Sequence, residues 1–148
     1  MDTKAKLETV LKEAMKAGDE VRKRTVRMAL AAIRQQEIDR QVNLDEAAVL
    51  AILYKEIKTR REAIEEAHKA GRDDLVTAAE AEIAVVEYFL PKAISADELV
   101  VLVDAAIVEV EAVSPADMGK VMKAVMPRVA GRAPGDQVST VVRQRLQN

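Results

Sequence analysis

Apolar residues recur along nearly the whole chain at intervals of three and four, the period of an amphipathic helix. Leu7, Val10, Leu11 and Ala14 form one such stripe, and Gly18 can close that helix. Asp19 can cap a second helix, with Val26, Leu30 and Ile33 on one face. A third starts near Asn43 to Asp45, carries Val49, Ile52, Leu53, Ile57 and Ile64, and stops at Gly71. Asp73 is placed to cap a fourth, whose apolar face reads Leu75, Ala79, Ile83, Val86 and Leu90. Pro91 ends it, because the residue before a proline is driven out of the helical region.

The segment Leu90-Pro91-Lys92-Ala93-Ile94 marks a boundary between an N-terminal domain, 1–92, and a C-terminal domain, 93–148. Ser95 and Glu98 have the spacing of a capping box for a fifth helix. Its valines also suit a strand, but Leu99, Leu102, Val103, Ala106, Ile107 and Val110 form one helical stripe, with Asp97, Asp104 and Glu111 opposite. Ser114-Pro115-Ala116-Asp117 opens a sixth helix with a cap, a proline at the first position and an acid in the first turn. Ala133-Pro134-Gly135-Asp136 turns the chain into a seventh. The expected fold is all-α: a four-helix N-terminal domain followed by a small three-helix C-terminal domain.

Charge adds a feature that the stripes do not show. The 148-residue chain is nearly neutral, at −2. Residues 95–116 contain five acids and no Lys or Arg, a net −5. Residues 117–148 contain Lys120, Lys123, Arg128, Arg132, Arg143 and Arg145 against Asp117 and Asp136, a net +4. Such asymmetry points to an anionic partner. A second basic cluster, Arg22, Lys23, Arg24, Arg27 and Arg34, reads as the solvated side of the second helix.

Catalytic chemistry finds little support. There is no cysteine, hence no disulfide and no thiolate, which agrees with a reducing cytoplasm. The single histidine, His68, reads as a surface residue, and a zinc set would fall mostly on carboxylates. Ser95 and Ser114 serve as caps, Ser139 lies in the last helix, and no Gly-rich phosphate loop is present. No catalytic residue, metal or cofactor is expected. Nor is a membrane role: no apolar run approaches the ~20 residues of a span, and the N-terminus lacks a signal-peptide core. With only Tyr54, Tyr88 and Phe89 as aromatics, base stacking is not a main mode of recognition. Met118, Met122 and Met126 form a stripe that reads as core packing.

The run Ser114 to Met122, then Val125-Met126-Pro127 and Gly131, resembles the YqeY family. Upstream the resemblance takes in Val26-Arg27-Met28, Arg60, Gly71-Arg72-Asp73-Asp74-Leu75 and Glu82 to Pro91, so it covers essentially the whole chain. The C-terminal part of that family is related to the tail domain of the B subunit of glutamine-dependent aspartyl/glutamyl-tRNA amidotransferases, which is associated with gripping tRNA by its shape. Asp117, Gly119, Lys120 and Gly131 match the family motif. Lys123 stands where the family often has glycine, and Pro134 where it often has aspartate.

The resemblance implies a cytoplasmic, tRNA-binding or amidotransferase-related accessory module. The phosphate contacts would be Lys120, Lys123, Arg128 and Arg132. The second reading is a helical module that docks on an amidotransferase or translation factor. Carbon–nitrogen ligase activity with glutamine as amido-N-donor is associated with the family, but this chain has no counterpart of that catalytic machinery and is not expected to perform it alone. Gly119, inside a helix at a cost of about 1 kcal/mol relative to alanine, is expected to mark close approach of another helix, so that Gly119→Leu would overpack.

Overall fold

The structure, a computed structural model, describes residues 1–147. Among these residues there are seven α-helices and no strand. They are α1 (Thr3–Ala17), α2 (Glu20–Arg40), α3 (Glu46–Lys69), α4 (Asp73–Glu87), α5 (Ala96–Glu109), α6 (Met118–Val129) and α7 (Gly135–Gln147). A 3₁₀ turn, Pro115–Asp117, leads into α6. The chain divides into two compact units, Met1–Leu90 and the residues from Pro91 onward. No helix among the described residues is long and apolar enough to cross a membrane.

In the first unit α1 packs along α2, and α3 along α4, while α2 also meets α3 and α4. Its core contains Leu7, Val26, Ile33, Val49, Leu53, Ile57, Ile83, Val86 and Phe89. The helix ends follow local chemistry. Asp2, Asp19 and Asp45 each accept from the backbone N–H three residues on. Gly18 closes α1 in the left-handed region, at φ 68°.

Helix α4 departs from the sequence reading at its start. Asp73 is not the cap but the first helical residue, and Arg72 stands in the cap position without a side-chain cap bond. Arg72 is turned instead to Asp74, donating from Nε at 3.0 Å and Nη2 at 2.9 Å. The face packed against α3 and α2 is Val76, Ala79, Ile83 and Val86, and Leu75 is exposed. One residue along a helix is a rotation of about 100°, enough to move Leu75 off the stripe.

One charged side chain lies inside this unit. Arg60 on α3 is only 6% exposed. It donates to Glu56 Oε2 at 2.7 Å, to the Glu56 carbonyl at 3.1 Å and to Glu82 Oε2 on α4 at 3.2 Å. Glu82 also receives Arg24 from α2, at 3.3 Å. Four charges thus tie three helices around a desolvated guanidinium. Such a group is tolerated in the interior because its donors are matched; removing it strands two carboxylates beside each other. Arg60→Ala is expected to destabilise the protein by about 2–3 kcal/mol in urea unfolding. That is below the full cost of breaking a buried pair, because the Glu56 and Glu82 side chains are 21% and 19% exposed.

Candidate functional site

The second unit is built on valine. Val103 of α5, Val121, Val125 and Val129 of α6, and Val138 and Val142 of α7 have no exposed surface, and Leu99 and Ala106 complete the centre. Val121, Val125 and Val129 are spaced by four, so a single α6 ridge fills the middle of the unit. Met118, Met122 and Met126 pack against that ridge and are only partly buried. The methionine stripe therefore packs, as its spacing suggested, but beside the core rather than as its centre.

The polar rim explains the charge sorting. Arg132 donates to both oxygens of Glu98, at 3.0 Å each. Arg145 on α7 makes the same two-pronged contact with Asp104 on α5, at 2.8 Å each. Arg128 at the end of α6 pairs with Glu109. Three carboxylates of the acidic block and three guanidiniums of the basic block thus face each other within one small unit. Planar two-pronged pairing of this kind holds a fixed orientation as well as charge.

Glu98 therefore does not complete the expected capping box. Ser95 accepts from the Glu98 N–H at 3.1 Å, but the Glu98 carboxylate is taken up by Arg132. Arg132 also donates from Nε to the Lys92 carbonyl at 3.1 Å, and its own carbonyl accepts from Ile94 N–H at 3.0 Å. The turn after α6 is thereby fastened to the segment of chain that enters α5. Ala130 at φ 53° and Gly131 at φ 75° bring it there through two successive left-handed residues, a path for which glycine carries no steric penalty.

The motif residues separate by role. Asp117 accepts from Val113 N–H at 2.9 Å and Ser114 N–H at 3.4 Å, folding the connector between α5 and α6. These backbone donors, the Val113 N–H foremost, with help from Lys120, hold its carboxyl below the usual carboxylate range. Gly119 is different. It is exposed, and a Cβ built there would meet no atom within 4 Å beyond its own chain neighbours and helix backbone. No helix approaches it, so the expected overpacking by Gly119→Leu is corrected: the site faces open space. Beside it, the Lys120 side chain is 68% exposed, its Nζ 3.9 Å from Asp117, and Lys123 is exposed one turn further on.

Of the four cations singled out in the sequence, Lys120 and Lys123 thus share an open helix face with Gly119. Arg128 and Arg132 are held more closely by acids of their own unit, whereas Lys120 makes only a loose ion pair with Asp117. Sequence reasoning missed this engagement. The signal for it was present: two blocks of opposite sign, adjacent in the chain and joined by a short connector, have each other as nearest partners. On α2, Arg22, Lys23 and Arg24 pair with Asp19, Glu20 and Glu82. His68 is exposed, and among the described residues no cluster of three or more His, Asp or Glu could hold a metal ion.

The Glu98 carboxyl is held below its ordinary value, first by the hydrogen bonds from Arg132 and then by the charges of Arg132 and Lys92. A depressed carboxyl contributes stability above its unfolded pKa and loses it as pH falls through the folded one. Glu98→Gln is therefore expected to lower the melting temperature at neutral pH, with the gap to the parent closing as the pH drops below the ordinary Glu range. Gly119→Ala is expected to be neutral or to stabilise by up to about 1 kcal/mol, read by thermal melting.

Comparison with known proteins places this geometry in a family. Residues 4–146 match the family model described as "Yqey-like protein". Among curated proteins, the chain is similar to "Altered inheritance of mitochondria protein 41, mitochondrial" of Lachancea thermotolerans, 42% identical over 61% of this chain and 49% of the relative. The protein of that name in Eremothecium gossypii is 40% identical over 74% of this chain and 62% of its own length. The Kluyveromyces lactis protein is 38% identical over 60% and 49%. The chain thus spans about half to three fifths of these relatives. Their names are those of mitochondrial proteins, which overturns the expectation of a cytoplasmic location; a cysteine-free composition does not tell one reducing compartment from another. The match runs through both units and through the motif around Gly119 and Gly131, and the chain belongs to the YqeY family.

Proposed function

We propose that this chain is a non-catalytic tRNA-binding module, and that its contact surface is the open face of α6 formed by Gly119, Lys120 and Lys123. The observation that carries the reading is Gly119. A glycine inside a helix weakens it, and here no packing neighbour requires one. Its bare backbone instead lets another molecule come close, and two exposed lysines stand beside that gap. Lysines three apart on a helix project to one side, where they act as point charges toward phosphate. Contacts of that kind position a folded RNA by its backbone and carry no base sequence. The overall charge of −2 suits local, salt-sensitive binding rather than general coating of nucleic acid.

The test is titration of labelled tRNA with the whole chain. Lys120→Ala combined with Lys123→Ala should keep the parent melting temperature, since exposed substitutions shift stability by less than about 0.5 kcal/mol. It should weaken binding and lower the slope of log affinity against log salt by about two, one for each lost phosphate contact. Gly119→Leu should weaken binding without lowering stability. Absence of binding by the parent chain at low salt removes the proposal. Loss of binding on replacing Arg22, Lys23 and Arg27 instead would put the surface on α2.

A further inference from the structure

We propose that the outward face of α5 is a docking surface for a cationic amphipathic helix of another protein. Its central valines lie on α5 and not on the lysine face of α6, and the proposal does not rest on RNA binding. The inward side of α5 is taken up by Leu99, Val103 and Ala106 in the valine core. On the outward side Val101 is 66% exposed and Val108 77%, and Val113, just past the helix, is 86% exposed. Val101 and Val108 are seven residues apart, two turns, so they lie on one side, with exposed Ala105 between them. The fold gains nothing from these side chains: a β-branched residue on an exposed helix face is a poorer helix former than alanine. Two exposed valines two turns apart with a small residue between them give a second helix a place to lie along.

Charge decides what kind of helix. Asp97, Val101, Asp104 and Val108 follow one another at spacings of four, three and four, and exposed Glu111 lies just beyond the helix end. Acid and valine alternate along a single line. Asp104 and Glu109 are partly neutralised by Arg145 and Arg128, while Asp97 and Glu111 remain exposed to solvent. Residues 95–116 contain no Lys or Arg, so α5 brings no cation of its own to its last turn, and the one cation paired there, Arg128, is taken up by Glu109. The complement is a helix with apolar residues at intervals of three and four, flanked by Lys or Arg. The exposed Asp97 and Glu111 disfavour RNA and favour a cationic protein partner on this face.

The experiment uses the full chain and a fluorescein-labelled helical peptide with Leu at intervals of three and four and Lys at the flanking positions. Saturable binding is expected. A scrambled peptide of the same composition should bind about tenfold more weakly, because it cannot align its apolar residues. Val101→Ser with Val108→Ser should weaken the ordered peptide by about tenfold and leave melting and tRNA titration unchanged. Asp97→Asn with Glu111→Gln, which leaves the apolar strip intact, should weaken binding and flatten its salt dependence. Equal binding of ordered and scrambled peptides would reduce the contact to charge attraction and overturn the proposal. So would a valine variant that binds like the parent, or one that loses tRNA along with the peptide.

Discussion

The pairing of α5 carboxylates with arginines from the other side of the unit decides what the C-terminal half of this protein can offer to a partner. Glu98 holds Arg132, Asp104 holds Arg145 and Glu109 holds Arg128. Each pair crosses between elements that share one valine-rich core. The two-pronged contacts of Arg132 with Glu98 and of Arg145 with Asp104 add fixed orientation at its rim. Guanidiniums committed to carboxylates in this way are not free for an outside anion. What remains open is the lysine face of α6 beside a glycine with nothing in front of it.

The N-terminal unit uses the same chemistry at a different depth. Arg60 is enclosed by Glu56, Glu82 and the α3 backbone, with Arg24 balancing the second carboxylate. At the rim of the C-terminal unit, water screens each pair and its worth is small and salt-dependent. Inside the first unit, screening is weak and every donor must be matched. One family of contacts thus orients helices in one place and locks them in the other.

The helices were legible because their signals are local. The three- and four-residue stripes mark seven helices, and Gly18, Asp19 and Asp45 end or begin them as their chemistry dictates. What was not legible depended on distant residues. Val76 rather than Leu75 faces inward because packing against α2 and α3 selects which face of α4 is covered. Glu98 has the right spacing for a capping box, but a better partner arrives from thirty-four residues away. Gly119 read as a packing glycine because its local cost is the same whether a helix or solvent faces it. The charge blocks were visible as composition, yet which acid meets which arginine is set by the packing of α6 and α7 on α5 and, for Arg132, by the turn at Ala130 and Gly131. The basic block was therefore half readable: the motif marked its residues, and only the fold showed which of them are paired with acids.

The allotment of charges is tested most directly by side-chain NMR of the arginine Nε–Hε groups in the whole protein, with tRNA added stepwise. If the arginines are internal, the Arg132 and Arg145 signals are protected from exchange at neutral pH and stay in place as tRNA is added, while resonances of Lys120 and Lys123 move. Progressive shifts at Arg128, Arg132 and Arg145, with the two lysines unmoved, would mean that these arginines leave their carboxylates for phosphate, and would contradict the division between structural arginines and exposed lysines.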